Sequence, residues 1–420
     1  MACDVYRAYA RPGRPAEGEA VDRLHEARDR AVDARPDLAD EIGRLVGVAL
    51  KPSPSADAET DFAVRLQQTW GPVMAKSVED TTFYRWHLLT ALNEVGGDPS
   101  MLGSSGPEVL HEWATTQQAR WPLGMTTLST HDTKRSEDVR ARILALAGDG
   151  ESWALCAETF GEAADLHGVD RPTGHLLWQT LAGAGDIGAD RLTAYLTKAA
   201  REAKQHTAWV DGDPDYEQRV AAMAEAALQP GQLRALVDTA LDHNREAVRA
   251  LVLGQKLLQL TVPGVPDTYQ GCEVVNLSLV DPDNRRAVEY DDLRARLSVL
   301  ADPDGPGPRD LDDEKLLLTS RTLALRKDLR HCFGDGGSYH PVPATTRHVV
   351  GFTRGEEVAV LVTRAPRRLE AGGGWGTATA TLPDGLWRDE LTETLHEGGE
   401  VRCAELFTGL PVALLRRVHI

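Results

Sequence analysis

The residues best suited to chemistry lie together in one short polar stretch, 129–138. It contains His131 and Asp132, followed closely by Lys134 and Arg135. A carboxylate there can stabilise a developing cation or orient the hydroxyl groups of a sugar, and a neighbouring imidazole can donate a hydrogen bond. The two basic side chains can pair with acids or hold ligand hydroxyl groups.

The flanking residues predict how this stretch is positioned. A short apolar run, Met125–Leu128, precedes it, and a helical pattern, Val139–Leu146, follows it. This order predicts a strand, a polar loop and a helix. In an α/β barrel the loop after a strand lies on the catalytic face, so His131 and Asp132 would lie at a strand's C-terminal end.

A purely structural alternative stays open for the second half of the stretch. Ser136 can cap the helix, and Glu137 and Asp138 can favour its positive N-terminal end. This alternative accounts for the two acids. It does not account for the whole cluster, because His131 and Asp132 come too early to belong to the cap.

The stretch resembles the fourth signature region of the α-amylase family of glycoside hydrolases, in which a His–Asp pair follows the seventh barrel strand. The longer run 129–142, STHDTKRSEDVRAR, is similar to the maltooligosyl trehalose synthases, which isomerise the reducing end of a maltodextrin. The same resemblance is carried by the stretches 67–84, 92–99 and 263–271, and it extends from Val5 to Leu415.

This resemblance implies a fold and an activity. The implied fold is α/β: the C-terminal part of a (β/α)8 barrel, with an inserted helical subdomain and a C-terminal all-β domain. The implied activity is intramolecular transglycosylation, which converts the reducing-end α-1,4 linkage of a maltodextrin to α-1,1 in trehalose biosynthesis. The implied partner is a maltooligosaccharide substrate, and neither a cofactor nor a metal is implied.

The resemblance also assigns site residues. Asp132 matches the catalytic Asp that stabilises the oxocarbenium-like state. Substrate contacts are expected from the residues His131, Lys134, Arg135, Lys76, Glu79, Tyr84 and Tyr269. By pattern alone, the segment of Lys76, Glu79 and Tyr84 is an ordinary capped helix, and Glu94 either lines the cleft or only shapes a turn.

Part of the expected chemistry has no counterpart in the sequence. In the family, the nucleophile and the acid/base lie on earlier strands, and the nucleophile lies in a G-x-R-x-D motif that is absent here. We therefore expect a chain that begins partway through a larger protein and is inactive alone. A separate chain carrying the first half of the barrel is the corresponding partner. An amylase-type hydrolase and a non-catalytic maltodextrin-binding or complementing subunit are the alternatives.

Hydrophobic periodicity and turn residues predict the domain organisation. The alternating pattern of Met1–Tyr9 predicts a strand, and the composition of Pro52–Ala56 predicts a linker. A short buried strand is predicted at Leu260–Val262 and a helix at Glu314–Leu329. The predicted divisions are a partial barrel with helical segments at 1–152, an inserted helical subdomain at 153–253, the last barrel strand and helix at 254–330, and a β-domain at 331–420.

Composition narrows the class of ligand. The 420 residues carry a formal net charge of -18, which disfavours nucleic acid and anionic membranes and suits a neutral ligand such as a sugar. The five cysteines are scattered and lack a CxxC spacing. They predict reduced thiols in a cytoplasmic protein, and neither a disulfide framework nor a zinc site.

Overall fold

The computed structural model describes residues 5–11, 13–52, 56–103, 106–302 and 304–419. Cys3, the start of the predicted N-terminal strand and residues 53–55 of the predicted linker lie outside these residues. The chain forms two compact units, Met1–Arg85 with Ala199–Asp213, and Trp86–Lys198 with Pro214–Ile420. The domain boundaries drawn from the sequence stay a prediction.

The first unit is helical. Its helices are α1 (Glu19–Ala34), α2 (Ala39–Leu50) and α3 (Asp57–Met74), with a π-helical turn at Ala75–Glu79 and a 3-10 turn at Thr82–Tyr84. Leu24 and Ala49 lie in its core, and Trp70 packs against them. Helices α1 and α2 lie on either side of Pro36.

Helices also dominate the first half of the second unit. They are α4 (Pro107–Arg120), α5 (Glu137–Ala147), α6 (Gly150–His167), α7 (Arg171–Ala184), α8 (Ala189–Ala203), α9 (Pro214–Leu228), α10 (Gln232–His243) and α11 (Arg245–Thr261). The unit boundary falls inside α8. The helical pattern from Trp153 to Leu253 is confirmed. None of the described helices is long and apolar enough to cross a membrane.

A two-stranded parallel sheet positions the His–Asp stretch. β1 (Met125–Thr127) pairs with β2 (Val265–Asp267), so both strands end at the same edge. Among the described residues no further strand pairs with either one. The prediction of β1 is confirmed, but the predicted strand Leu260–Val262 is wrong. Helix α11 continues to Thr261, and the strand starts only at Val265, because the bend at Pro263–Gly264 separates the two elements.

The last part of the chain forms an antiparallel sheet of six strands in the order β3-β4-β5-β8-β6-β7. Its strands are β3 (Tyr339–Pro341), β4 (Val349–Arg354), β5 (Val358–Thr363), β6 (Thr379–Asp389), β7 (Leu395–Arg402) and β8 (Val412–Val418). The structure thus places β-strands in the part of the chain, 331–420, for which β-structure is predicted. The remaining helices are α12 (Tyr290–Leu300), α13 (Leu311–Asp328), α14 (Arg330–Phe333), α15 (Pro366–Ala371) and α16 (Cys403–Leu406).

Both faces of this sheet are covered. Side chains alternate across a strand, so Phe352 and Val360 join the core formed with Leu257 of α11. Leu361 and Trp387 face a second core on the opposite side. Double coverage explains why every residue of β4 and β5 is buried, and why β5 has consecutive apolar residues from Val358 to Val362.

Candidate functional site

The segment between β1 and α5 forms the centre of the candidate site; we term residues 129–136 the His–Asp loop. His131 and Asp132 are both exposed, whereas the residues from Thr133 to Ser136 are buried. The backbone turns tightly at Thr130, whose hydroxyl accepts a hydrogen bond from the Asp132 N–H at 3.1 Å and whose carbonyl accepts one from the Thr133 hydroxyl at 2.9 Å. The loop therefore exposes one carboxylate and one imidazole, while the residues that follow them are buried.

Glu94 fixes the backbone of this loop. Its carboxylate accepts hydrogen bonds from the Lys134 N–H at 2.8 Å and the Arg135 N–H at 3.0 Å. Arg140 donates to the same carboxylate at 3.2 Å and to the carbonyls of Leu128 and Arg135. The sequence left open whether Glu94 lines a cleft or shapes a turn, and the structure shows that it holds the His–Asp loop.

The segment after β2 packs against the same loop; we term residues 268–286 the second loop. Ser136 donates through its N–H to the Ser278 carbonyl at 2.9 Å and through its hydroxyl to the Asn276 carbonyl at 2.5 Å. Asn284 donates to the Thr130 carbonyl at 3.2 Å. The two loops thus leave one edge of the parallel sheet and support each other there, which is the arrangement expected at the carboxyl ends of parallel strands.

A network of four buried charges lies at the start of α5. Lys315 of α13 places its Nζ 2.6 Å from Asp138 Oδ2 and 2.9 Å from Glu137 Oε1, and Lys256 of α11 lies 2.6 Å from the same Glu137 oxygen. Each of these side chains is at most 1% exposed. The network reaches the second loop, because the Asn276 N–H donates to Asp138 at 2.8 Å.

This network corrects the structural alternative drawn from the sequence. Ser136 occupies the N-cap position, but its hydroxyl makes no cap bond, and Ser129 accepts from the Glu137 N–H instead. Glu137 and Asp138 are not exposed acids at a helix end; they are paired inside the protein. Sequence could not show this, because their lysine partners come from helices more than a hundred residues away.

The pKa values in the network follow from this pairing. Burial alone would raise the pKa of Glu137, but the charges of Lys315 and Lys256 outweigh it and lower that pKa to about 2. Burial raises the pKa of Asp138, whose only lysine partner within the network is Lys315 and whose neighbour Glu137 repels its charge. Burial would lower the pKa of Lys315, yet the two carboxylates raise it.

The other predicted residues of the second unit differ in exposure. Lys134 and Arg135 are buried, and Arg135 donates to the Tyr195 hydroxyl at 2.8 Å. Tyr269 is half-buried at the start of the second loop, where its carbonyl accepts from the Cys272 N–H. Their assignment as substrate contacts stays a prediction, whereas the exposure of His131 and Asp132 leaves these two free to meet a ligand.

The remaining predicted residues belong to the first unit. Lys76 is exposed and pairs with Asp80 at 2.5 Å. Glu79 is buried and accepts a hydrogen bond from the Tyr6 hydroxyl, and Tyr84 is buried as well. Lys76 and Glu79 lie on the π-helical turn, an element that is frequent at functional sites.

A second segment packs beside these residues within the first unit. Lys204 donates to the Thr81 hydroxyl at 2.9 Å, and Arg85 donates to the Ala203 carbonyl at 2.6 Å. Arg201 lies 5.2 Å from the ring centre of Trp209, and that ring is 57% exposed. An exposed aromatic face among polar groups is the kind of surface on which a sugar ring can pack.

A cavity of about 780 Å³ lies in the second unit, beside the second loop. Its charged lining residues are Arg142, Arg191, Arg234, Arg286, Asp186, Asp238, Asp283, Glu289 and Asp292. His131 and Asp132 are not among the residues that line it. This cavity is therefore separate from the exposed carboxylate predicted to act on a substrate.

Comparison with known proteins was made by sequence and by structure. No protein-family model matches the sequence. A Mycobacterium tuberculosis (strain H37Rv) protein, provisionally named maltooligosyl trehalose synthase, is 43% identical over 366 residues, which cover 84% of this chain and 45% of that protein. The maltooligosyltrehalose synthase of Arthrobacter ramosus superposes with a TM-score of 0.85 at 40% identity, covering 99% of this chain and 53% of that one. A hypothetical maltooligosyl trehalose synthase of Sulfolobus tokodaii gives a TM-score of 0.70 at 26% identity, covering 94% and 50%.

These similarities first define a class of fold, the mixed helix-and-sheet fold of the α-amylase-like trehalose-forming synthases. Within that class, the chain is a relative of the maltooligosyl trehalose synthases, and the resemblance recognised in its motifs is confirmed. The chain spans about half the length of the relatives it matches, with 45% of the curated protein and 53% of the Arthrobacter chain covered.

Proposed function

We propose that the chain contributes to a maltooligosyl trehalose synthase site, in which the reducing-end α-1,4 linkage of a maltodextrin is converted to α-1,1. The observation that supports this most directly is the exposed Asp132 on a loop held at the carboxyl end of a parallel strand. An exposed carboxylate in that position can stabilise the oxocarbenium-like state and bind sugar hydroxyl groups.

The proposed chemistry needs more carboxylates than this loop supplies. A retaining mechanism uses a nucleophile and an acid/base about 5 Å apart, and the sequence carries no G-x-R-x-D motif. In the proposed reaction the nucleophile forms a glycosyl-enzyme and the acid/base protonates the leaving glucose. That glucose then attacks through its anomeric hydroxyl, with the acid/base taking the proton. Water has to be excluded throughout.

We therefore propose that the nucleophile and acid/base come from outside this chain and that the chain alone does not turn over dextrins. The parallel sheet of β1 and β2 supports this proposal, because no further strand among the described residues pairs with either one and added strands could continue a barrel. A polypeptide that supplies the first half of the barrel would complete both the sheet and the carboxylate set. The reduced, buried cysteines suit a cytoplasmic setting for this pair.

The test is an assay of maltopentaose turnover. It compares the purified chain alone with a mixture of this chain and the part of the Arthrobacter relative to which the chain does not align. We expect no turnover alone and a non-reducing product from the mixture. Asp132→Asn should lower that rate by about 10²–10³-fold, whereas Asp190→Asn, which changes an exposed acid on α8, should not.

Other outcomes would identify other functions. Turnover by the chain alone would refute the proposed division of the carboxylates. Free glucose or shorter dextrins in place of a non-reducing product would indicate an amylase-type hydrolase. An undiminished rate in the mixture with Asp132→Asn would remove Asp132 from the proposed catalytic role.

A further inference from the structure

A second group of polar side chains lies on the antiparallel sheet, outside the candidate site. Glu357, in the turn between β4 and β5, is flanked by two histidines. His331 of α14 places its Nε2 2.6 Å from one carboxylate oxygen, and His419, just after β8, places its Nε2 3.1 Å from the other. Three segments far apart in sequence thus meet at one carboxylate.

A buried thiol lies close to His331 and Glu357. The donor atoms of His331, Cys332 and Glu357 all lie within 4.8 Å of one another, which distinguishes them among the residues described by the structure. Cys332 is only 1% exposed, whereas the His331 and His419 side chains are 66% and 71% exposed. The thiol is therefore the buried part of the group, and the imidazoles are exposed to solvent.

The turn that brings Glu357 to the thiol depends on a glycine. Gly355 has φ +57°, and a Cβ on it would lie 2.8 Å from the Cys332 sulfur. Only glycine gives the turn both this backbone conformation and the space to close over the thiol. The Glu357 backbone is also fixed, because its carbonyl accepts from the Arg417 N–H at 2.9 Å.

We propose that His331, Cys332 and Glu357 bind a divalent transition-metal ion of the zinc type, with the fourth position left to solvent and with His419 holding the second Glu357 oxygen. Imidazole nitrogen, thiolate sulfur and carboxylate oxygen are the donors that Zn²⁺ accepts, usually four in number. In a tetrahedral site, neighbouring donors are roughly 3.3–3.7 Å apart, as follows from metal–ligand distances of about 2.0–2.3 Å. The His331–Glu357 hydrogen bond would open by less than about 1 Å, which the exposed imidazole can accommodate by rotation.

Such an ion would have a structural role. It would join α14 to the β4–β5 turn, which lies more than twenty residues further along the chain. It would also balance the Glu357 carboxylate and the thiolate beside it. Because the donors are not arranged as CxxC or HxxxH, the sequence spacing carries no sign of the site.

The experiment titrates the full chain, freed of metal by a chelator, with Co²⁺ and then with Zn²⁺. We expect one equivalent of Co²⁺ to bind, to give a thiolate-to-cobalt charge-transfer band in the near ultraviolet, and to be displaced by Zn²⁺. Glu357→Gln and His331→Ala should weaken binding by more than the roughly 10- to 100-fold that loss of an outer hydrogen-bonding partner costs. His340→Ala, an exposed histidine on β3, is the matched control and should leave binding unchanged.

Three results would overturn the inference. They are the absence of Co²⁺ binding at micromolar metal, Co²⁺ binding without a thiolate band, and binding that Glu357→Gln and His331→Ala leave unchanged. Cys332→Ser should abolish the band, and circular dichroism checks that this buried variant has folded. Glu357→Gln changes a turn residue, so it keeps the test decisive if Cys332→Ser does not fold.

Discussion

Replacing Lys315 with methionine tests the buried charge network below the His–Asp loop. The Lys315 Nζ lies 2.6 Å from Asp138 and 2.9 Å from both Glu137 and the Val274 carbonyl. Methionine keeps most of the length of the side chain but supplies no charge and no donor. Glu137 would then keep Lys256 as its partner, whereas Asp138 would have no lysine partner left in the network.

The expected cost is large because a buried carboxylate loses its partner. Breaking a buried ion pair by removing one member typically costs about 3–5 kcal/mol of unfolding free energy. The cost should depend on pH. Glu137 has a folded pKa of about 2, below its usual 4.5, so its stabilisation is present above pH 4.5 and is lost as the pH falls towards 2. Protonation relieves the unpaired charge in Lys315→Met, so the difference between variant and parent should shrink with acidification.

Two measurements check this prediction. Urea unfolding followed by tryptophan fluorescence gives the change in stability, and hydrogen exchange of the α5 amides reports the local effect. Lys327→Met is the matched control, since Lys327 is exposed on the same helix. We expect the control to stay within about 0.5 kcal/mol of the parent, as surface changes usually do.

The reasoning is refuted if Lys315→Met destabilises no more than Lys327→Met. The charge-pairing explanation also fails if the cost is unchanged when Asp138→Asn is added, because removing the unpaired carboxylate charge should recover part of the lost stability. An increase in the difference between variant and parent on acidification would contradict the charge-based explanation.

Two further predictions concern other buried polar groups. Glu94→Gln removes the charge that fixes the His–Asp loop. Because hydrogen bonds to charged groups contribute about 1.5–3 kcal/mol, hydrogen exchange of the two loop amides bonded to Glu94 should accelerate about ten- to hundredfold. The control Glu112→Gln changes an exposed residue of α4 and should leave this exchange unchanged. Unchanged exchange in Glu94→Gln would contradict the assigned role. Arg354 is fully buried and its guanidinium has no hydrogen-bond acceptor among the described residues, so Arg354→Met should stabilise by about 1–4 kcal/mol in urea unfolding. Arg326 packs on the same Phe333 ring but donates to two carbonyls, so Arg326→Met should destabilise the protein. If both variants changed the unfolding free energy in the same direction, hydrogen bonding would not decide their effects.

Local patterns predicted most elements of the fold. Helical periodicity over Glu314–Leu329 predicted α13, and the short apolar run Met125–Leu128 predicted β1. The error at Leu260–Val262 has a physical cause. A short apolar run before a proline fits a buried strand and a buried helix end equally well. Leu260 is buried in either case, so its apolar character does not distinguish a strand from a helix.

The candidate site was predicted only where its residues are neighbours in sequence. His131 and Asp132 stand out because a strand, a polar loop and a helix follow one another locally. Glu94 could not be assigned in the same way, because its partners Lys134 and Arg135 lie some forty residues further along. Nor could the burial of Lys134 and Arg135 be read from their charges, which favour exposure.

The amino-acid sequence was enough to predict most of the helices and strands, the loop that carries the exposed carboxylate, and the proteins to which the chain is related. These properties depend on neighbouring residues and on recurring motifs. The three-dimensional structure was needed to show that Glu137 and Asp138 are paired inside the protein and that Glu94 holds the His–Asp loop. It was also needed to show that His331, Cys332 and His419 lie around Glu357. The reason is that pairing and burial of charges depend on distances between segments far apart in the chain, which local composition does not encode.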